Sequence, residues 1–387
     1  AFLDHHFKQG NSLLGSDIEN IEELESDVSD SDDQYSLAEF GATREGTIER
    51  LMNIYSEFLA IENETIEDVQ KMKNKYDEIK QDRLRQQLVS IANVHTAESF
   101  DLNVPSGAYE RMARALEDNQ EWNKITQTDW FNKAQSMSNA RDFFHWKLAF
   151  PEVFHNKGNN AGFDAVIGNP PYVSNWNLTE SDSKLVDALQ TTYDEVAVGH
   201  WDLYIIFCER SLRLLSNGGR HSFITSNSIS KEKYARKIRQ KMVEEYTIDN
   251  ITTFEDDQVF RGVTRLVLIY IVENAPPESS ILSIATGLDG NFQEKREISQ
   301  EILAKFSNYS WRTDITEGDL NIKSKVESEG VRLGHICWVN PGIVAHSASD
   351  SPLDFKKDDI IIDEFTEGAK KYASGQEVKR HHVDWNG

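Results

Sequence analysis

Residues 163–172 read FDAVIGNPPY, and this stretch decides the fold. The first six residues are a short apolar run with the length and texture of a buried strand. Two consecutive prolines then stop it. Each lacks an amide N–H and holds φ at roughly −65°, so neither can continue a ladder. The strand must run into a stiff loop, Asn169-Pro170-Pro171-Tyr172. Ligands of open α/β sheets sit at the carboxyl ends of the strands, so this loop is the first place to look for chemistry.

Downstream, residues 203–215 have a helical period, and Asn217-Gly218-Gly219 reads as the stop signal. Residues 221–226 (HSFITS) read as the next strand, 238–246 as a helix, and 250–254 and 265–272 as two more strands. Strand alternating with helix implies a mostly parallel sheet. The last two strands are joined by about ten residues, too few for a crossover helix, so they are expected to run antiparallel. Pro276-Pro277 marks a boundary, and residues 280–387, with shorter apolar runs and more turns, are expected to form a further domain.

Upstream, residues 1–15 end in Gly-Asn-Ser-Leu-Leu-Gly. Residues 16–45 are acidic and Ser-rich and read as a linker. From Ile48 the apolar spacing becomes helical, through Leu51, Met52, Tyr55 and Phe58, and a second helix is expected from Ile66 through Met72, Tyr76 and Ile79 to Ile91. The whole of 16–140 reads as an acidic linker and helical insertion. The expected catalytic core is then residues 1–15 with 141–275.

The net charge is −24, which opposes binding to a polyanion. The charge is unevenly spread. Residues 17–33 hold nine acids and no base, whereas residues 231–241 (KEKYARKIRQK) hold six bases and one acid. A local groove can therefore be basic, and Lys231, Lys233, Arg236 and Lys237 are candidates for phosphate contact; a plain solvated helix face is the competing reading. Two cysteines make no disulfide framework, and no apolar run reaches the ~20 residues of a membrane helix, so a cytoplasmic location is expected. His5-His6 and His381-His382 lack further ligands at metal-binding spacing, so no metal is expected.

The groups in residues 169–172 suit methyl transfer to an exocyclic base amine. Such an amine is a poor nucleophile because its lone pair is delocalised into the ring. Two acceptors aimed at its N–H groups would localise that pair, and the Asn169 side-chain oxygen and the Pro170 carbonyl can supply both. The prolines hold the geometry in advance, and Tyr172 offers a face on which an extruded base can stack. The competing reading of four residues alone is a turn with a packed tyrosine.

The surrounding sequence favours the chemistry. FDAVIGNPPY resembles the catalytic motif of the amino-methyltransferases, and the wider match is to adenine-N6 DNA methyltransferases of the bifunctional type II restriction-modification group and related phage-defence enzymes. Residues 2–15 (FLDHHFKQGNSLLG), 144–154 (FHWKLAFPEVF), 202–228 and 254–274 resemble further segments of that group in order, and 331–345 and 373–385 resemble the start of its target-recognition domain. The resemblance implies a Rossmann-like class I methyltransferase sheet, incomplete in its first strands, with a helical insertion and a partial C-terminal target-recognition domain. It implies S-adenosylmethionine as methyl donor and double-stranded DNA as partner. Asn169 and Pro170 would accept from the target N6, Pro171 would stiffen the loop, Tyr172 and Phe260 would stack on the flipped adenine, and Asn11 with Asn169 would reach the cofactor. For Phe260 a core position, and for Asn11 a turn, are the bland alternatives. Asp202 opens a helix and reads as an N-cap.

One departure matters. The group's glycine-rich cofactor loop, which precedes the segment of Asn11, has no counterpart in this sequence, so the chain by itself is expected to be inactive. Two other readings stay open. The same loop chemistry serves a glutamine side chain or a guanine amine of RNA, and an inactive DNA-binding product would keep the fold without turnover.

Overall fold

The computed structural model describes residues 5–17, 34–62, 64–155, 160–254, 266–278, 280–288, 291–312, 317–331 and 335. Two compact units divide at Asp314/Ile315. The first is a helical layer followed by one sheet. Its helices are α1 (Gln34–Leu59), α2 (Ile66–Gln81), α3 (Arg83–Glu98), α4 (Ala108–Ala115), α5 (Asn119–Ile125), α6 (Asp129–Arg141), and the single turns α7 (Trp146–Ala149) and α8 (Pro151–Phe154). The strands and helices that follow are β1 (Phe163–Gly168), α9 (Asn175–Thr192), α10 (Leu203–Arg213), β2 (Leu215–Ser226), α11 (Arg236–Glu245), β3 (Thr247–Phe254), β4 (Val267–Glu273), β5 (Ile281–Leu288), β6 (Asn291–Ser299) and the turn α12 (Glu301–Ala304). Within the second unit the described residues form one helix, α13 (Glu317–Glu329).

Two expectations for the helical layer change. Helix α1 begins at Gln34, inside the stretch expected to be linker. The single helix expected from Ile66 to Ile91 is two, because Asp82 adopts an extended ψ of 124°. Its carboxylate accepts from Arg85 N at 2.9 Å, so the residue that ends α2 also caps α3. The break lets two apolar faces point differently. Leu51, Tyr55, Phe58, Met72, Tyr76 and Ile79 close one core. Leu88, Ile91, Val94, Met112, Ile125 and Phe131 close another.

The sheet is mixed, with strand order β1-β2-β4-β3-β5-β6. Pairs β1/β2 and β3/β5 are parallel, and β2/β4, β3/β4 and β5/β6 are antiparallel. The antiparallel β3/β4 pair is as expected from its short connection. Strands β1, β2, β3 and β5 therefore point one way, and their carboxyl ends share an edge. The sheet also continues past Pro276-Pro277, since β5 pairs with β3.

Asn217-Gly218-Gly219 is not a helix stop. Helix α10 ends at Arg213 with Leu214 as its C-cap, and the glycines lie inside β2 as an irregularity, where the register jumps from Phe163↔Leu215 to Ala165↔Arg220. Gly218 takes a φ of 74°. A Cβ at Gly219 would lie 2.6 Å from the Phe163 carbonyl oxygen. Both positions need glycine, for different reasons.

The segment 11–16 is pinned to residues 142–146. Asn11 N donates to Asp142 O at 2.6 Å, Phe144 N to Leu14 O at 2.7 Å, and Trp146 Nε1 to Ser12 O at 3.0 Å. Buried His145 accepts from Ser16 N at Nδ1, so its Nε2–H donates to Asn93 Oδ1 at 2.8 Å. That fixes one tautomer between the segment and α3.

Two features of the first unit yield measurable expectations. Arg239, fully buried on α11, donates to the carbonyls of Ile229, Glu232, Asn308 and Tyr309. Arg239→Met strands these acceptors, and urea unfolding should show a loss on the order of 3 kcal/mol. Burial also pulls the imidazole of His145 down to about 4 and that of His221 down to about 3, from 6.5. Both are neutral in the folded state, whereas the unfolded chain gains protons below pH 6.5. Their contribution is complete above that pH and is lost as pH falls toward 4, at roughly 1.4 kcal/mol per pH unit for each group. Neither nitrogen of His221 has a hydrogen-bond partner among the described residues, so His221→Phe should make the acid limb of a stability-against-pH profile shallower.

Candidate active site

β1 ends at Gly168, which faces Phe223 of β2 in register. A Cβ on Gly168 would meet the Phe223 ring at 2.9 Å, so a larger residue would push the strand end, and the loop that leaves it, away from β2. Beyond it Asn169 and Pro171 are exposed, Pro170 is buried and Tyr172 is half-buried. The buried proline anchors the loop while Asn169 is free to face a ligand. Among the described residues the Asn169 side chain makes no hydrogen bond.

Tyr172 is held at two points. Its hydroxyl donates to the Ile224 carbonyl of β2 at 3.1 Å. Its ring meets that of Tyr204 edge-on, with centroids 6.1 Å apart at 85°. Burial pushes the Tyr172 phenol up to about 12, so it remains a neutral donor at physiological pH. Tyr204 is fully buried, and its hydroxyl lies 2.9 Å from that of Tyr234. Tyr234 donates in turn to Asp202 Oδ2 at 2.8 Å. Asp202 does sit at the start of α10, but its side chain caps no amide of that helix. Asp202 thus holds the N-cap position as expected, but its side chain serves the tyrosine pair rather than the helix amides.

The loop exit is tied to the same place. Ser174 and Asp202 form an antiparallel bridge, flanked by Leu203 N→Val173 O at 2.7 Å and Asn175 N→Trp201 O at 2.9 Å. Asn175 Oδ1 also accepts from Trp201 N and from His200 Nδ1 at 3.1 Å. Trp176, the next residue, is 70% exposed and edges His200 at 6.3 Å. Tyr204, Tyr234, His200 and Trp176 thus surround the loop, although nothing in the sequence pattern singles them out. They come from α9, the connection between α9 and α10, α10 and the turn before α11, so no local spacing groups all four.

The basic run leaves the carboxyl end of β2, beside that of β1. Lys231, Lys233, Arg236 and Lys237 are exposed. Arg239 is buried as described, and Lys241 pairs with buried Glu209 at 2.8 Å and with Glu195 at 3.5 Å. The run is therefore four solvent-facing cations and two that serve the fold.

Asn11 is half-buried, and its Oδ1 accepts from Leu13 N at 3.2 Å, a local turn. Its amide NH2 has no partner among the described residues. The segment reaches the loop's helix indirectly, through Tyr193 OH→Leu13 O at 2.9 Å. Phe260 lies outside the described residues, as do residues 336–387. For S-adenosylmethionine, the observations that bear on fit are the outer side of β1, where Ile167 is 82% exposed, the free Asn169 side chain and the free Asn11 amide. β1 is the edge strand of the sheet, so these groups are open to a cosubstrate. No helix among the described residues is long and apolar enough to cross a membrane.

The chain is 33% identical over 127 residues to the type II methyltransferase M.XhoI of Xanthomonas vasicola, covering 30% of this chain and 21% of that protein. It is 29% identical over 105 residues to the type II restriction enzyme and methyltransferase RM.Eco57I of Escherichia coli, covering 27% of this chain and 10% of that protein. The chain thus spans about a fifth or less of the length of these curated relatives. Among solved structures, the type IIG restriction endonuclease BpuSI aligns with a TM-score of 0.32 at 12% identity, over 63% of this chain and 34% of that one. A putative class I S-adenosylmethionine-dependent methyltransferase from Listeria monocytogenes aligns with a TM-score of 0.25 at 14% identity, over 62% of this chain and 84% of that one. The sequence model of one family matches residues 53–260, more than half of the chain and inclusive of the whole loop 169–172. The chain belongs to the Eco57I restriction-modification methylase family.

Proposed function

We propose that this protein is a site-specific DNA methyltransferase that methylates the N6 amine of an adenine flipped out of double-stranded DNA, with S-adenosylmethionine as donor, within a restriction-modification or related defence system. The observation that carries the reading is the loop after β1. It has a buried proline, an exposed asparagine with a free side chain, and a tyrosine whose ring is held in place by a second tyrosine.

In this reading Asn169 Oδ1 and the Pro170 carbonyl accept one N–H each from the exocyclic amine. Its lone pair is thereby directed out of the base plane. The donor supplies an electrophilic methyl group on sulfur, and Asn11 and Asn169 are the residues that would hold it. Tyr172 stacks on the extruded base; such stacking is worth on the order of 1–3 kcal/mol, enough to offset much of the unstacking cost. Asp202, Tyr234 and Tyr204 keep the Tyr172 ring in one orientation, so the platform is ready before the base arrives. Phe260 would supply the second aromatic contact, Lys231, Lys233, Arg236 and Lys237 would hold the phosphate backbone, and the target-recognition domain expected at 280–387 would begin after the sheet, since residues 281–299 form β5 and β6 of it.

Asn169→Ala in the full-length protein should lower methyl incorporation into duplex DNA by roughly 100-fold or more, while gel-shift affinity for DNA stays within a few-fold. Full activity of this variant would end the proposal. So would methylation of RNA or of a glutamine-bearing protein in preference to DNA in the same radiolabel assay. For the basic run, the double variant Lys233→Gln/Lys237→Gln should weaken DNA binding equally for all sequences. It should also flatten the plot of log affinity against log salt by about one unit for each phosphate that is no longer neutralised.

A further inference from the structure

A cavity of about 490 Å³ lies between residues 7–9, helices α1–α3 and residues 143–151, apart from the loop 169–172. Its volume is in the range of small-molecule sites. Lys8, Lys80 and Arg85 line it together with the rings of Tyr55, Tyr76 and Phe144.

The cations are poorly compensated. Lys8 and Lys80 share one ring, with their Nζ atoms 4.5 and 4.7 Å from the Tyr76 centroid, and Lys8 also donates to the Tyr76 hydroxyl. Arg85 donates from Nη2 to the Leu148 carbonyl at 3.2 Å, whereas its buried Nε–H meets no acceptor among the described residues. No carboxylate pairs with it within 4 Å among the described residues. Asp82, the nearest acid in sequence, is engaged with Arg50 at 2.6 Å. Glu152 acts on both Lys8 and Arg85; one of its oxygens is taken by Tyr55 OH at 3.0 Å, and the other has no hydrogen-bond partner among the described residues, so a single carboxylate stands against the three cations. Burial, together with Arg85 and Lys80, pulls the Lys8 ammonium down to about 8. A desolvated, unpaired cation is costly to keep. Partly buried Lys8 and Arg85, joined at the rim by exposed Lys80, give this cavity three cations in a chain of net charge −24, a positive pocket that an anion would relieve.

We propose that this cavity binds a mononucleotide, its phosphate held by Arg85, Lys8 and Lys80 and its base laid against the aromatic wall of Tyr55 and Phe144. The phosphate would accept the orphaned Nε–H and displace the mutual repulsion of the cations. The flat base matches the ring surfaces, as neither a simple inorganic anion nor a neutral apolar molecule would. This site is separate from the methyl-transfer site, and the inference does not depend on that reading.

Isothermal titration of the full-length protein with adenosine 5′-monophosphate, adenosine and inorganic phosphate tests it. The monophosphate should bind at least roughly tenfold more tightly than adenosine or phosphate. Arg85→Gln should weaken it by about tenfold or more. Lys80→Gln, at an exposed position where folding is not at stake, should weaken it several-fold. Binding should persist in Asn169→Ala and in the presence of saturating S-adenosylmethionine. A 5′-phosphorylated dinucleotide, run beside the monophosphate, separates its two sources: equal binding indicates the end of a nucleic acid, and much weaker binding indicates a free nucleotide. Absence of binding at millimolar monophosphate, affinity unchanged in both cavity variants, or displacement by S-adenosylmethionine would each overturn the proposal.

Discussion

The parallel pairing of β1 with β2 is the constraint on which the rest of the first unit depends. It is tight at its end, because Phe223 lies where a Gly168 side chain would be. That contact fixes where β1 stops and brings its carboxyl end beside that of β2. The Asn169 loop leaves from one strand and the basic turn from the other, so an acceptor pair and a row of solvent-facing cations share one edge. Open α/β sheets place their ligands at this edge because loops there diverge and leave a crevice. The same register also accounts for the glycines in β2, which let the chain absorb extra residues without losing the pairing.

Behind the loop, the aromatic groups are held by polar contacts as well as by packing. Burial makes each phenol harder to ionise, with Tyr172 and Tyr234 both at about 12, so the hydroxyls persist as neutral donors. The chain from Asp202 through Tyr234 to Tyr204 gives the interior hydroxyls partners, and a polar group buried without one would cost roughly 1–3 kcal/mol. A satisfied network of this kind rigidifies its surroundings. Tyr172 gains a preferred orientation from it, and the loop exit is held to the same helix start by the bridge at Ser174.

The helical layer contributes through a different set of contacts. Ser16, His145 and Asn93 hold the segment of Asn11 against α3, and Gly15 lets it approach, since a Cβ there would lie 2.0 Å from the Phe144 carbonyl oxygen. The same layer encloses the cationic cavity. Charge in this chain is thus organised locally. The total is strongly acidic, yet the exposed row after β2 and the cavity beside α3 are both basic, and either can attract an anion over the short range that salt leaves unscreened.

Much of this was legible in the residues alone. The strand at 163–168, its arrest by two prolines and the antiparallel β3/β4 pair follow from local rules: period, backbone φ and connection length. The residue types of the loop 169–172 already implied an acceptor pair next to an aromatic face. Local rules failed where a residue's role is set from a distance. Asp202 holds the N-cap position, yet its side chain serves Tyr234 from another element, and the glycines at 218–219 look like a stop until β1 is laid beside them. Arg239 looks like its exposed neighbours until the carbonyls of Asn308 and Tyr309 enclose it. Residue types and their spacing were enough to say where the chain must be extended, stiff or amphipathic, because those properties are local. Which polar groups meet was settled by the folded arrangement, because burial and hydrogen-bond partners come from segments far apart along the chain.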